Sequence, residues 1–381
     1  MSKAAELANL IGNINAGGGG VNRNVIINGA MNVAQRGTSA TGKGAASGYF
    51  TMDRFTMVTD ASNATAGRFT MTQDSSAPSG FANSLKLECT TADTSIAAGE
   101  FMIIRQIIEG QNLQGFAKGA SDAKPFAVSF YVKGNASATY NCVLGDEDNT
   151  RQSVRQFTVG TDWSRVELTF PADTTGAFDD DNAGSLEFNI WIHAGSSYSS
   201  GSLNENVWEA RDFTKQASGI SSFFDSTART LFITGVQLEV GQNPTEFEHE
   251  KFSQTLERCS RYYQKTKAAS DTYKHFGLWF CAADGGGGGT GYGTVAVPLV
   301  TTMRTVPSLE TTGTVSNYAI VAKNTNYALT TFSVDTGIDD GTINGQFYLN
   351  AYSAGGMGAG TAGAVRANNT ADAFVALDAE L

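Results

Sequence analysis

The chain has 381 residues, 41% of them hydrophobic, and carries 26 Lys and Arg against 37 Asp and Glu for a formal net charge of −11. That is enough apolar material for two or three packed domains. The acidic balance excludes the basic footprint of a nucleic-acid binder and disfavours attachment to an anionic membrane. Only 17% of residues are charged, and 43 glycines, with many Ala, Ser, Thr and Asn, make the chain polar in another way. Small and hydroxylated residues suit short strands joined by many turns, so the expected class is all-β. No apolar run approaches the ~18 residues of a membrane span, and no charged-then-apolar leader follows Met1. Membrane insertion is therefore not expected, and the N-terminus is expected to be unprocessed. Cys89, Cys142, Cys259 and Cys281 lack CxxC spacing, and the expectation is buried free thiols in a chain made in a reducing cytoplasm.

In chain order, Ser2–Ile14 has helical spacing, with Ala4, Leu7, Ala8, Ile11 and Ile14 on one face. The glycines from Gly17 to Gly20 then break it. A helix this short is unstable alone in water, so Leu7, Leu10, Ile11 and Ile14 are expected to dock on another chain, with 1–22 acting as anchor and hinge.

From 23 to 250 short β patterns follow one another: Tyr49–Val58, Gly67–Thr72, Ser84–Cys89, Glu100–Ile108, Phe126–Val132, Thr139–Leu144, Gln156–Val159, Arg165–Phe170, Leu186–His193 and Thr230–Glu239. In Val166-Glu167-Leu168-Thr169-Phe170 every second residue is apolar, one face in and one face out. Strands at this spacing predict two stacked antiparallel sheets, a jelly-roll β-sandwich. The stretch Ala194–Ser222, with Tyr198, Trp208 and Phe213, is a long connection, long enough to be functional or locally structured. Across 251–270 the period changes: Phe252, Leu256, Cys259 and Tyr263 step by four, three and four, predicting a linking helix that reaches to about Lys265. From 271 to 381 β patterns return at His275–Ala282, Thr294–Val300, Ser308–Thr314, Tyr318–Ala322, Ala328–Val334, Gln346–Ala351 and Phe374–Glu380, a smaller C-terminal β-sandwich. Ala354–Gly363 is expected to be an exposed loop, flanked by Tyr352 and Arg366.

The glycine run Gly285–Gly289 follows a strand but precedes another strand pattern. Without a helix N-terminus behind it, it lacks the dipole of a phosphate cradle and is expected to be a hairpin loop. His193, His249 and His275 show none of the spacings of a zinc site, and no nucleophile motif is present, so no catalytic residue is expected. His193 ends an apolar strand and is expected to be a satisfied core or edge imidazole. The clusters Asp146-Glu147-Asp148 and Asp179-Asp180-Asp181-Asn182 are oxygen-rich, which makes Asp179 and Asp181 candidates for a structural calcium, and no other cofactor is expected. They lack the spacing of a dedicated calcium loop, and solvated turns are the plainer account. Tyr198, Trp208, Tyr292 and Tyr352 lie in or beside polar stretches. With Arg366 they are the glycan-binding candidates, since aromatic faces stack on sugar C–H surfaces while polar neighbours bond the hydroxyls. Packing beneath their own loops is the competing account.

Several phrases resemble tailed-phage fibre and virion appendage proteins, in particular those of marine podovirus-like phages. These are Arg23-Asn24-Val25-Ile26-Ile27-Asn28-Gly29-Ala30-Met31, then Ala34-Gln35-Arg36-Gly37-Thr38 and Met52-Asp53-Arg54-Phe55. The stretch Ile233–Gly241, then Pro244-Thr245-Glu246-Phe247-Glu248, is similar to the closing strand of that module. Leu256-Glu257-Arg258-Cys259-Ser260-Arg261-Tyr262-Tyr263-Gln264 resembles the helix that follows it, and the C-terminal Ala367–Ala373 and Asp378–Leu381 match as well. Phe55 departs from the family, which often has Trp there. The resemblance implies a jelly roll like those of carbohydrate-binding modules, a smaller C-terminal sandwich and a homotrimer in the virion, assembled in the bacterial cytoplasm.

The expected function is thus a tail fibre or tail-tip protein, not an enzyme, that recognises host-surface polysaccharide or lipopolysaccharide and joins other virion proteins through its N-terminal helix. The alternatives are a capsid-decorating head fibre or an adaptor holding other fibres. A surface-polysaccharide depolymerase is a more distant third, because the solenoid repeats that would favour it are absent.

Overall fold

The computed structural model describes residues 3–4, 22–60, 67–285, 290–334, 346–353 and 360–381, of which 282–285, 290–292, 334 and 346–348 are described by their backbone alone. The expected docking residues Leu7, Leu10, Ile11 and Ile14 lie outside the described residues, as does most of the expected loop Ala354–Gly363. The chain divides into two compact units, Met1–Thr255 with Leu381, and Leu256–Glu380.

The first unit contains β1 (Ser39–Lys43), β2 (Gly48–Tyr49), β3 (Thr56–Thr59), β4 (Arg68–Asp74), β5 (Ser84–Thr91), β6 (Phe101–Glu109), β7 (Phe126–Gly134), β8 (Ala138–Asp146), β9 (Arg151–Val159), β10 (Ser164–Phe170), β11 (Gly184–Ala194), β12 (Glu209–Ala210) and β13 (Thr230–Val240). A six-stranded sheet in the order β1-β4-β5-β13-β7-β10 stacks on a seven-stranded sheet in the order β12-β9-β8-β11-β6-β3-β2, the expected jelly-roll-type sandwich. The alternation predicted for β10 holds residue by residue. Val166, Leu168 and Phe170 are buried and Glu167 is exposed, because side chains on a strand point to opposite faces. The inward residues of both sheets meet in one core that includes Phe126, Phe130, Phe188 and Ile190, with Phe116 stacked on Phe126 at 4.2 Å. Cys89 and Cys142 in this unit, like Cys259 and Cys281 in the second, are buried thiols outside any disulfide, as their spacing predicted.

The phrases that carry the family resemblance form a hydrogen-bonded corner. Asn28 adopts φ 61°, which Asn tolerates better than most residues. Its buried amide donates to the carbonyls of Val33 (2.8 Å) and Asp53 (3.1 Å) and accepts from the N–H groups of Asn32 and Val33 (both 2.9 Å). The Asp53 carboxylate in turn accepts from the Gln35 backbone N–H at 2.9 Å and from its side-chain amide at 2.6 Å. Val25 N–H donates to Leu238 O and Val236 N–H donates to Gly29 O, both at 3.0 Å. The NVIING and GVQLEV phrases are therefore spatial partners. A Cβ on Gly29 would stand 2.0 Å from the Val236 carbonyl oxygen, so no larger residue fits.

Besides short 3-10 turns, the described residues form the α-helices α1 (Ser196–Ser199) and α2 (Phe213–Gln216) in the long connection after β11, and α3 (Phe252–Ser260). The predicted helix to Lys265 is too long. Tyr262 and Tyr263 are adjacent and both 1% exposed, which one face of a helix cannot provide, and Tyr263 instead opens a strand.

The second unit contains β14 (Tyr263–Lys267), β15 (His275–Gly285), β16 (Thr290–Pro298), β17 (Ser308–Thr311), β18 (Tyr318–Ala322), β19 (Thr325–Val334), β20 (Gln346–Ser353), β21 (Ala362–Ala367) and β22 (Phe374–Asp378). Here the smaller β unit takes the form of a closed barrel, β15-β16-β20-β19-β18-β21, with a three-stranded sheet β14-β22-β17. Closure removes the exposed edges of a small sheet. Trp279 fills the interior and donates from Nε1 to Ala351 O at 3.0 Å. A Cβ on Gly293 would meet its ring at 2.3 Å, so that position must stay glycine. Gly285 pairs with Thr290 in an antiparallel ladder, so the strands on either side of the glycine run form a hairpin, while Gly286–Gly289 lie outside the described residues.

Candidate functional site

The strongest grouping of chemically active side chains lies on the outer face of the seven-stranded sheet. Along β11 the sequence Glu187-Phe188-Asn189-Ile190-Trp191 sends Phe188 and Ile190 into the core and Glu187, Asn189 and Trp191 to the opposite face. Register then sets Asn189 beside Arg105 of β6 and Trp191 beside Ile103. The Arg105 guanidinium donates to Asn189 Oδ1 at 2.7 Å and lies 2.7 Å from Glu187 Oε1, while Asn189 donates to Glu187 Oε2 at 3.1 Å. From the connection, Arg211 reaches over to donate to Glu147 Oε1 at 2.6 Å and to Asp146 O at 3.1 Å.

The two carboxyls of this network are driven in opposite directions. Burial raises Glu187 above the ordinary glutamate value, with Arg105 opposing. Burial also pushes on Glu147, but the hydrogen bond and charge of Arg211 outweigh it and hold that carboxyl low. Glu147 also adds to the upward push on Glu187 through its like charge. The result is a rigid row of alternating charges, partly open to solvent, that can offer donors and acceptors without reorganising.

The rest of this face is covered. The connection after β11 folds back so that Tyr198, Leu203, Ala217 and Ile220 pack with Ile103, Val143, Val154 and Trp191. Tyr198 lies edge-on to Phe101 at 4.9 Å and 5.3 Å from Trp191. Phe213 of α2 stays 54% exposed, edge-on to Tyr198 at 6.5 Å.

The structure does not bring the predicted glycan residues together. Trp208 lies in the connection just before β12, but it turns inward. It is 7% exposed, packs in the main core and donates from Nε1 to Pro171 O at 2.8 Å. Tyr198 also lies in the connection, but half-buried beneath it. Tyr352 belongs to β20 and pairs with Tyr292 of β16 and Thr331 of β19, and the Tyr292 side chain lies outside the described residues. Arg366 belongs to β21, 4.5 Å over the Tyr273 ring and donating to Asn326 Oδ1 at 2.8 Å. Ala362 and Gly363 are also strand rather than loop. The alternation of β11 held the signal for Glu187 and Asn189, whereas their pairing with Arg105 needed the register.

The acidic clusters resolve differently from one another. Asp179 and Asp181 are exposed, and Asp181 Oδ1 accepts from the Ala183 N–H at 2.9 Å. Asp146 is fully buried and meets the equally buried Lys118, whose Nζ lies 2.5 Å from Asp146 Oδ2 and 3.3 Å from Asp173 Oδ2. Nζ also donates to the carbonyls of Thr175 and Gly176, both at 2.8 Å. An internal ammonium thus occupies this oxygen cluster, the arrangement by which a buried charge is tolerated.

No known family profile matches the sequence, and no curated protein matches it. Solved structures give distant likenesses. A family 4 carbohydrate-binding module aligns at 10% identity and a TM-score of 0.30, over 56% of this chain and 97% of that one. A family 11 carbohydrate-binding module from Clostridium thermocellum, in complex with a mixed-linked tetrasaccharide, aligns at 9% identity and 0.27, over 56% of this chain and 99% of that one. The enzymatically active domain of tailspike protein 4 of bacteriophage CBA120 aligns at 12% identity and 0.29, over 57% of this chain and 21% of that one.

Proposed function

We propose that the chain is a non-enzymatic phage appendage protein, a homotrimeric tail fibre or tail-tip component that binds a host-surface glycan through the outer face of its seven-stranded sheet. The observation that carries this reading is the fixed network of Arg105, Glu187, Asn189, Arg211 and Glu147, buried at Asn189 and Glu187 and open to solvent along Arg105, Arg211 and Glu147. Sugar hydroxyls are recognised by such preset donors and acceptors, and the exposed ring of Phe213, two residues from Arg211, offers a C–H stacking surface at the rim. Binding rather than cleavage is favoured because both carboxyls are already tied to arginines, Glu187 to Arg105 at 2.7 Å and Glu147 to Arg211 at 2.6 Å. Self-association is supported by Leu278 and Phe280, 62% and 55% exposed on alternate positions of β15. Three copies would convert weak single-site affinity into avidity.

A second reading, a head fibre or adaptor that binds no receptor, is favoured by the burial of Trp191 beneath the connection. Retention of the purified full-length protein on host cells and on their extracted surface polysaccharide separates the two. Saturable retention, lost on exchanging Arg105 for Lys, supports glycan recognition. No retention by the folded wild-type protein overturns it in favour of the adaptor.

A further inference from the structure

The geometry points to a divalent transition-metal site formed by Asp93, Glu100 and His193, a cation of the zinc class held by one imidazole nitrogen and two carboxylate oxygens. The ligand atoms of these three side chains all lie within 4.8 Å of one another. That span is what a shared ion needs, since metal–ligand bonds to His and carboxylate are about 2.0–2.2 Å each.

His193 is the decisive member. It is 1% exposed and stands beyond a β-bulge, where the register of β11 on β6 slips between Trp191 and His193. Bulges re-aim side chains. Its Nδ1 is 2.8 Å from Ser222 Oγ, and Ser222 Oγ accepts from the Phe224 N–H at 3.1 Å. With Nδ1–H donating to Ser222, the lone pair of Nε2 faces the carboxylates, the second-shell device by which metal-binding histidines are oriented. Nε2 and Asp93 Oδ2 are 3.9 Å apart, too far for a hydrogen bond, and both are buried without a hydrogen-bond partner. Buried polar atoms left unpaired are uncommon and call for an occupant between them. Burial also keeps the imidazole neutral, lowering its pKa to about 4, as ligation requires. Glu100 is anchored by accepting the Ala97 N–H at 2.6 Å, and Asp60 adds negative charge close by.

An ion here would tie the β5–β6 connection, the start of β6 and the end of β11. The connection that covers the sheet face starts from the same place, where Gly195 N–H donates to Glu100 O at 2.7 Å and Ser197 N–H to Ala98 O at 2.9 Å. One imidazole with two carboxylates suits Zn²⁺ or Mn²⁺ better than Ca²⁺, which prefers six to eight oxygens. The inference is independent of glycan binding.

The test uses full-length protein stripped with chelator and titrated with Zn²⁺, Mn²⁺ or Ca²⁺ by calorimetry, with thermal unfolding in parallel. One Zn²⁺ per chain and a raised melting temperature are expected, with no comparable response to Ca²⁺. Binding should vanish in His193→Gln and Asp93→Asn, and Ser222→Ala should weaken it about 10–100-fold. Absence of Zn²⁺ binding to the wild-type protein overturns the proposal, as does binding undiminished in the folded His193→Gln and Asp93→Asn variants. If Zn²⁺ has no effect while Glu100→Gln alone raises the melting temperature, the cluster is a proton-sharing carboxyl pair and the proposal fails.

Discussion

Arg105 and Glu187 face each other across neighbouring strands at 2.7 Å, with 21% and 11% of their side chains exposed. A pair this enclosed keeps its geometry, yet its edge is open to a ligand. Exchanging Arg105 for Lys keeps the charge and removes the planar fork. Loss of one charge-assisted hydrogen bond, about 1.5–3 kcal/mol, should weaken retention on host polysaccharide roughly tenfold or more. Affinity electrophoresis in polysaccharide gels measures this, and unchanged mobility would remove the face from consideration.

Glu187 also makes a pH prediction. Its carboxyl is raised by burial, so the folded state binds that proton more tightly than the unfolded chain does. The stability it contributes is full below the unfolded value of about 4.3 and is lost as pH rises through the folded value. Glu187→Gln carries no such proton, so its stability relative to wild type should grow as pH rises through that window. Urea unfolding at a series of pH values reads the difference, and a flat difference would contradict the burial assignment.

Trp208 tests core against site. Truncation to Ala should lower stability by about 3–5 kcal/mol. Trp208→Phe, which keeps most of the packing but loses the bond to Pro171, should lower it by about 1 kcal/mol. Neither should change glycan retention while the protein remains folded. A specific loss of retention by folded Trp208→Phe would return this residue to the binding site.

Asn28→Ala leaves the N–H groups of Asn32 and Val33 without their acceptor and two carbonyls without their donor. The expected loss is about 3 kcal/mol, measured by the urea midpoint. Gly29→Ala should be at least as damaging, because the Val236 carbonyl occupies the space of its Cβ.

Leu278 and Phe280 test the trimer. Replacing both with Glu keeps Trp279 in the barrel while placing charge on the apolar strip. Light scattering is expected to show a trimer for the wild type and monomers for the double variant. A wild-type protein that is already monomeric at micromolar concentration would rule out the trimer.

The sequence by itself determined the all-β class, the jelly-roll strands and the buried, unbridged cysteines. Period-two alternation, as in Val166–Phe170, is a local property that survives without knowledge of partners. It also marked Leu186–His193 as a strand, whose alternate positions then carry Glu187, Asn189 and Trp191 on one face. Tertiary structure alone decided the rest. Tyr262 and Tyr263 continue a helical spacing, yet pairing of β14 with β22 gives Tyr263 to a strand. Trp208 lies in a polar stretch, and only the fold of the connection shows that it turns inward. Asp93, Glu100 and His193 share no spacing at all. They meet because the end of β5, the start of β6 and the end of β11 come to one place and a bulge turns His193 toward them, and long-range register of that kind leaves no mark on neighbouring residues.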